Sequence, residues 1–111
     1  MLGAVIGDIA GSRFEFDNYR HIDFDIFSPD SDFTDDTICT VAIADWVLQG
    51  CNDHLASILQ GWCRAYPYPK GAYGGRFSQW IEWKDPEPYN SWGNGSAMRV
   101  SAVGWAFATL E

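Results

Sequence analysis

Apolar side chains recur along most of this chain at intervals of three and four residues, the spacing of one face of an α-helix. Leu2, Val5, Ile6 and Ile9 set the first such face, and Gly3, Gly7 and Gly11 lie four apart on a neighbouring one, where another backbone can come close. Glycine weakens a helix by about 1 kcal/mol per residue, so three in one short helix imply compensating close packing; the pattern predicts a first helix buried on several sides. Between residues 17 and 32 the period fails and Asp, Asn, Ser and Pro accumulate, which predicts an irregular acidic loop. Ile38, Val41, Ala42, Ala44 and Leu48 then restore a helical period that runs to Gly50, a C′ glycine, with Asp36 or Thr37 expected as N-cap. Leu55, Ile58, Leu59 and Trp62 predict a third helix over 53–65. Residues 66–75, rich in Pro, Gly and Tyr, are expected to be loop, and a short helical stretch follows over 77–83. Pro86, Pro88, Gly93 and Gly95 break the period over 84–95, after which Val100, Val103, Phe107 and Leu110 define a last helix. No alternating apolar run of strand length bounded by turns occurs, so the expected class is all-α, a single domain over 1–111 with functional loops between buried helices.

Composition adds an apolar excess to this picture. The chain is 47% hydrophobic and 16% aromatic with six Trp, more large apolar surface than 111 residues readily hide. Some of it is expected to meet another surface, whether a second copy, a partner chain or the remainder of a longer fold. Fifteen acidic against seven basic residues give a net charge of -8, the wrong sign for gripping phosphate backbones, so nucleic acid is not an expected partner. Acidic side chains can instead hold hard divalent cations, which neutralise a phosphate-bearing ligand in place of protein cations.

Cys39, Cys51 and Cys63 are spaced twelve apart without a CxxC pair, and His21 and His54 are the only histidines. That argues against a zinc site or a disulfide framework and predicts reduced, small apolar side chains in a cytoplasmic protein. The first twelve residues carry Asp8 and no basic residue before Arg13, a poor match to a signal peptide and too short to cross a bilayer.

Three segments could carry chemistry. Thr34, Asp35 and Asp36 place a hydroxyl and two carboxylates at the mouth of the second helix, oxygen ligands of the kind Mg²⁺ and Mn²⁺ take. Neighbouring side chains on non-helical backbone point apart, so the two Asp residues could reach two metals; the alternative is that all three simply cap the helix. Glu15, between Phe14 and Phe16, is either a group that positions a water or a ribose hydroxyl, with the two aromatics seating the loop, or a solvated loop acid. Gly74-Gly75-Arg76 and Ser91-Trp92-Gly93-Asn94-Gly95 offer small residues with accessible N–H groups that suit a diphosphate, or are ordinary turn glycines; neither matches a Walker or dinucleotide fingerprint.

In order along the chain, Gly3-Ala4-Val5-Ile6-Gly7-Asp8-Ile9-Ala10-Gly11-Ser12 with Glu15, then Phe33-Thr34-Asp35-Asp36-Thr37, Tyr73-Gly74-Gly75-Arg76-Phe77 and Gly93-Asn94-Gly95-Ser96-Ala97-Met98-Arg99-Val100 resemble the ADP-ribosylglycohydrolase family. The resemblance covers essentially the whole chain. It implies the N-terminal part of that family's all-helical fold, with a two-Mg²⁺ or two-Mn²⁺ centre in a cleft that binds ADP-ribose, and an ADP-ribosylated protein or an ADP-ribose-containing small molecule as substrate. By resemblance, Thr34, Asp35 and Asp36 match the first set of metal ligands, with Asp35 and Asp36 counted also as catalytic. Glu15, also counted as catalytic, matches an acidic residue on a mobile loop at the site entrance, associated in the family with substrate positioning and catalysis. Gly74, Gly75, Ser91, Trp92, Gly93 and Asn94 match segments that hold the diphosphate and distal ribose, with Trp92 placed to pack on the ligand. The family's second ligand set, of the Asp-x-Asp-Thr type, is expected beyond Glu111. Asp30-Ser31-Asp32 superficially resembles it but abuts the first set. A homo-oligomer or a complementing chain is therefore expected to complete the site, the alternative being a module that binds ADP-ribose without turnover.

Overall fold

The computed structural model describes residues 1–108. Its helices are α1 (Leu2–Gly11), α2 (Asp35–Leu48), α3 (Leu55–Ala65), α4 (Gly75–Ile81), α5 (Gly95–Met98) and α6 (Ser101–Ala106), with a 3₁₀ turn at Ser12–Phe14. The fold is all-α; the sheet-like pairing among the described residues is one isolated parallel bridge, Thr34 to Lys70.

α2 is the central element. Ile38, Cys39, Thr40, Ala42, Ile43 and Ala44 are all buried, so the helix is covered on nearly every side, by α3, α6 and α1. Its caps explain its bounds. Thr34 is extended, and its Oγ1 accepts from the Asp36 N–H at 3.2 Å. The N-cap is thus Thr34, where the sequence pointed to Asp36 or Thr37; those two already lie within the helix, and Asp35 and Asp36 in its first turn set two carboxylates at the positive end of the helix dipole. At the other end Gly50 has φ +85, its N–H donates to Val47 O at 3.0 Å, and the Cys51 N–H donates to Trp46 O at 3.1 Å. These are the paired bonds of a Schellman motif, with glycine at C′ as expected.

The main core joins Ile38, Cys39 and Ala42 of α2 to Leu59 and Cys63 of α3 and to Trp80 and Ile81 of α4. Cys39 and Cys63 pack there as small apolar side chains with their sulfurs 4.0 Å apart. Buried Gln60 ties α3 to the end of α4, donating to Trp80 O at 2.9 Å and Trp83 O at 3.1 Å. A smaller cluster joins Ile43 and Ala44 to Ala102 of α6.

Two expectations need correction. α1 contains no buried residue: Leu2 is 79% exposed, and a Cβ on Gly3, Gly7 or Gly11 would meet no atom within 4 Å. The helix leans on α2 through its C-terminal half, and its glycine face has no neighbour among the described residues. The last helix is interrupted. Arg99 and Val100 sit near ψ 0, separating α5 from α6, and Phe107 at φ -117, ψ 136 ends α6. Val103 packs as expected, whereas Leu110 lies outside the described residues.

The apolar excess is visible as surface. The chain exposes 8032 Å², against about 6,200 Å² for a compact protein of this mass. No helix among the described residues is long and apolar enough to cross a membrane.

Candidate active site

The site begins with a residue whose role the sequence did not reveal. Asp8 leaves the C-terminal half of α1 and lies over the N-terminus of α2. Its Oδ2 accepts from the Thr34 N–H at 2.8 Å, the Thr37 N–H at 3.2 Å and the Thr37 hydroxyl at 2.5 Å, while Oδ1 accepts from the Thr34 hydroxyl at 2.5 Å. One carboxylate thereby satisfies orphan donors of a neighbouring helix and adds charge at the favourable end of its dipole. With the two threonines held, Asp35 and Asp36 line a large open cleft.

The electrostatics of that pair are unusual. Burial pushes the Asp35 carboxyl up to about 6, aided by the Asp36 charge beside it and by Glu15, and opposed by its own backbone N–H and by Arg99. Burial and the Asp8 charge raise Asp36 as well, and Arg99 again opposes. Both carboxyls are therefore costly to ionise where they stand, a cost that a cation placed beside them would offset.

Glu15 follows the 3₁₀ turn, which Ser12 pins by donating to Ile9 O at 2.9 Å and accepting from the Asp32 N–H at 3.1 Å. The Glu15 carboxylate lies against Gly71, where φ is +79 and a Cβ would come within 2.3 Å of Oε2. Ala72 next to it is also left-handed, at φ 62, a strained conformation for a residue with a Cβ. The flanking aromatics do not act as a pair. Phe14 stacks on Tyr19 at 5.3 Å, whereas Phe16 is exposed at the edge of the cleft.

The Thr34 to Lys70 bridge draws the 70–74 loop alongside the acidic segment. Gly74 then caps α4, its carbonyl accepting from the Ser78 N–H at 2.8 Å, and Gly75 opens the helix. In the last loop Ser91 Oγ accepts from the Gly93 N–H at 3.2 Å, and Asn94 O accepts from the Ala97 N–H at 2.9 Å. Trp92 is 95% exposed. All ten residues singled out by the sequence, from Glu15 to Asn94, line one cleft of about 1400 Å³, together with Asp8 and Arg99. That volume accommodates a ligand the size of a dinucleotide or nucleotide sugar. Asp32 lies outside it, in a separate groove beside Lys70.

A family model described as ADP-ribosylglycohydrolase matches residues 1–111, the whole chain. The chain belongs to the ADP-ribosylglycohydrolase family. Compared with curated proteins and with solved structures, it shows no significant match. Membership in the ADP-ribosylglycohydrolases points to a hydrolase acting on ADP-ribosyl linkages.

The family is generally metal-dependent, which the donor set can be asked to support. Among the described residues no three His, Cys, Asp or Glu side chains come together as a metal-holding group. Asp8 is turned inward onto the threonines, and Glu15 is drawn to Gly71. Asp35 and Asp36 remain, two adjacent carboxylates that burial makes harder to ionise. They are oxygen donors of the kind a hard cation takes, on one side only.

Sequence reasoning missed Asp8 and Arg99 as residues of this cleft. The signal for Asp8 was there: a single carboxylate in an otherwise apolar, glycine-rich helix needs a partner. Arg99 carried no comparable mark, since its meaning depends on where the last helix breaks.

Proposed function

We propose that the cleft binds ADP-ribose and that the chain takes part in Mg²⁺- or Mn²⁺-dependent hydrolysis of an ADP-ribosyl linkage at the anomeric carbon of the ribose. The observation carrying this reading is convergence. Four segments far apart in sequence line one cleft around two adjacent carboxylates, one of them raised to about 6.

In this reading Thr34, Asp35 and Asp36 hold two divalent ions from one side, and the remaining oxygen ligands come from outside residues 1–108. When bound, such ions supply Lewis acidity toward the ribose hydroxyls and a water. The protein's own residues bind and orient. Asp36 or Glu15 accepts a hydrogen bond from the attacking water, aligning it with a bond that breaks with oxocarbenium character. Gly74, Gly75, Ser91, Gly93 and Asn94 present small side chains and N–H groups to the diphosphate and distal ribose, and Trp92 packs on the ligand. Holding both ends of a long substrate in one cleft lowers the entropic part of the barrier.

The test is release of free ADP-ribose from an ADP-ribosylated protein. Activity that requires Mg²⁺ or Mn²⁺ and is lost in Asp36→Asn supports the proposal; full activity in EDTA overturns it.

One observation favours a second reading. Because the described residues gather fewer than three metal-holding side chains, the chain would serve as an ADP-ribose-binding module without turnover. Calorimetry that finds ADP-ribose binding in Mg²⁺ but no hydrolysis, even with a candidate complementing chain added, selects this reading over the first.

A further inference from the structure

The cleft is lined by acidic groups, yet the ligand proposed above is an anion. Asp8, Glu15, Asp35, Asp36, Asp53 and Glu87 line it, and among the described residues its cations are Arg76 and Arg99. The two are not equivalent. Arg76 is turned to the outer rim, where its Nη1 donates to Asn90 O at 2.7 Å and its guanidinium lies 5.4 Å from the Tyr89 ring centre.

Arg99 comes from the break between α5 and α6 and is half-buried. Its Nε donates to Gly95 O at 2.7 Å, and its guanidinium carbon lies 4.9 Å from the centre of the Phe77 ring. Gly95 makes room for it: a Cβ there would come within 2.6 Å of Nη2. Among the described residues neither terminal nitrogen donates a hydrogen bond, so the inner nitrogen anchors the group and leaves the outer fork open. Its positive field reaches both Asp35 and Asp36. A guanidinium fixed by stacking and by its inner N–H is a preorganised planar donor, the form suited to two oxygens of one phosphate.

We propose that Arg99 is the anion-recognition residue of this cleft, engaging phosphate oxygens of the ligand where the 91–95 loop opens beside the acidic pair. The inference rests on the ADP-ribose reading and deepens it. Loop N–H groups are neutral donors and cannot by themselves offset the repulsion an anion meets among these carboxylates. Arg99 supplies that offset, and it also sets selectivity: a nucleoside without phosphate leaves the fork unpaired and gains nothing from it.

The test is calorimetry on the full chain in Mg²⁺ buffer at low ionic strength, titrating ADP-ribose, ADP and adenosine. Arg99→Gln is expected to weaken ADP-ribose and ADP by about 10- to 100-fold and to leave adenosine unchanged. Arg99→Lys, which keeps the charge but not the fork, recovers part of the loss. Gly95→Ala keeps every charge but displaces the guanidinium tip, and it weakens the phosphate ligands selectively in the same direction. Should Arg99→Gln fail to fold, the ADP-ribose to adenosine ratio in the other two variants decides. Equal affinity for ADP-ribose in the wild type and the variants overturns the proposal, as does an equal loss for adenosine, which marks a scaffolding role. A wild type that binds neither ADP-ribose nor ADP overturns the function assigned to the cleft, and the role of Arg99 with it.

Discussion

Asp8 accepts both the backbone N–H and the hydroxyl of Thr37 through a single oxygen, at 3.2 and 2.5 Å. Together with the two bonds from Thr34, this makes α1 the source of the capping group for α2. Asp8→Ala strips four donors of their acceptor in a half-buried place, and a loss of about 2–3 kcal/mol is expected, with about 1 kcal/mol for Thr37→Val. Urea unfolding followed by circular dichroism measures both. A change below about 0.5 kcal/mol for Asp8→Ala would make the network incidental.

Asp35 predicts how stability varies with pH. Its carboxyl titrates at about 6 in the folded chain, above its ordinary 3.8, so the folded state holds this proton more tightly than the unfolded state. Stability from this group is therefore lost as pH rises from 3.8 through about 6. In EDTA, Asp35→Asn is expected to exceed the wild type at neutral pH by on the order of 1 kcal/mol, a figure already reduced for solvent screening of a half-exposed group. The two proteins converge in acid. Thermal melts across the pH range test this, and parallel curves would refute it. Added Mg²⁺ is expected to raise the melting temperature of the wild type more than that of Asp35→Asn.

Gly71 and Glu15 are sterically linked. Gly71→Ala combines a left-handed φ of +79 with a Cβ 2.3 Å from Glu15 Oε2, so the carboxylate must move. A stability loss of about 1 kcal/mol is expected from the backbone conformation alone. Release of ADP-ribose should fall much further than that loss explains, toward the rate of Glu15→Gln. Comparing the two variants under saturating substrate provides the measurement; a Gly71→Ala protein with wild-type kcat would separate Glu15 from the reaction.

Trp92 gives the opposite signature. It is 95% exposed and contributes nothing to the core, so Trp92→Ala should change stability by no more than about 0.5 kcal/mol. Loss of its stacking face is nevertheless expected to weaken ADP-ribose binding by about 5- to 10-fold. Tryptophan fluorescence quenching on titration with ADP-ribose, absent in the variant, reads out the contact directly.

What the sequence made legible follows from how local each feature is. α2 and α3 were readable because burial imposes the helical period on Ile38, Ala42, Leu59 and their neighbours, and Gly50 marks a stop that only backbone conformation requires. The acidic pair was singled out by the resemblance of Phe33-Thr34-Asp35-Asp36-Thr37 to the family's motif, since two carboxylates in a first helical turn are by themselves equally ordinary dipole partners. Asp8 was not, since its partners are 26 and 29 residues away and the capping bond crosses between helices. The exposed face of α1 was misread for a related reason. Glycines four apart permit close approach, but the pattern does not say from where the approaching backbone comes. Thr34 replaced Asp36 as cap because the choice hangs on one residue's dihedral angles, which composition does not encode.

The interruption at Arg99 and Val100 has its own mechanical meaning. The chain after it is moored to α2 through Ala102, whereas the chain before it, from Ser91 to Met98, has no buried residue. A ligand drawing that loop inward thus deforms a segment with little packing to lose, while α6 stays seated. The two-residue gap works as a strain relief between the part of the molecule that adapts and the part that holds its shape.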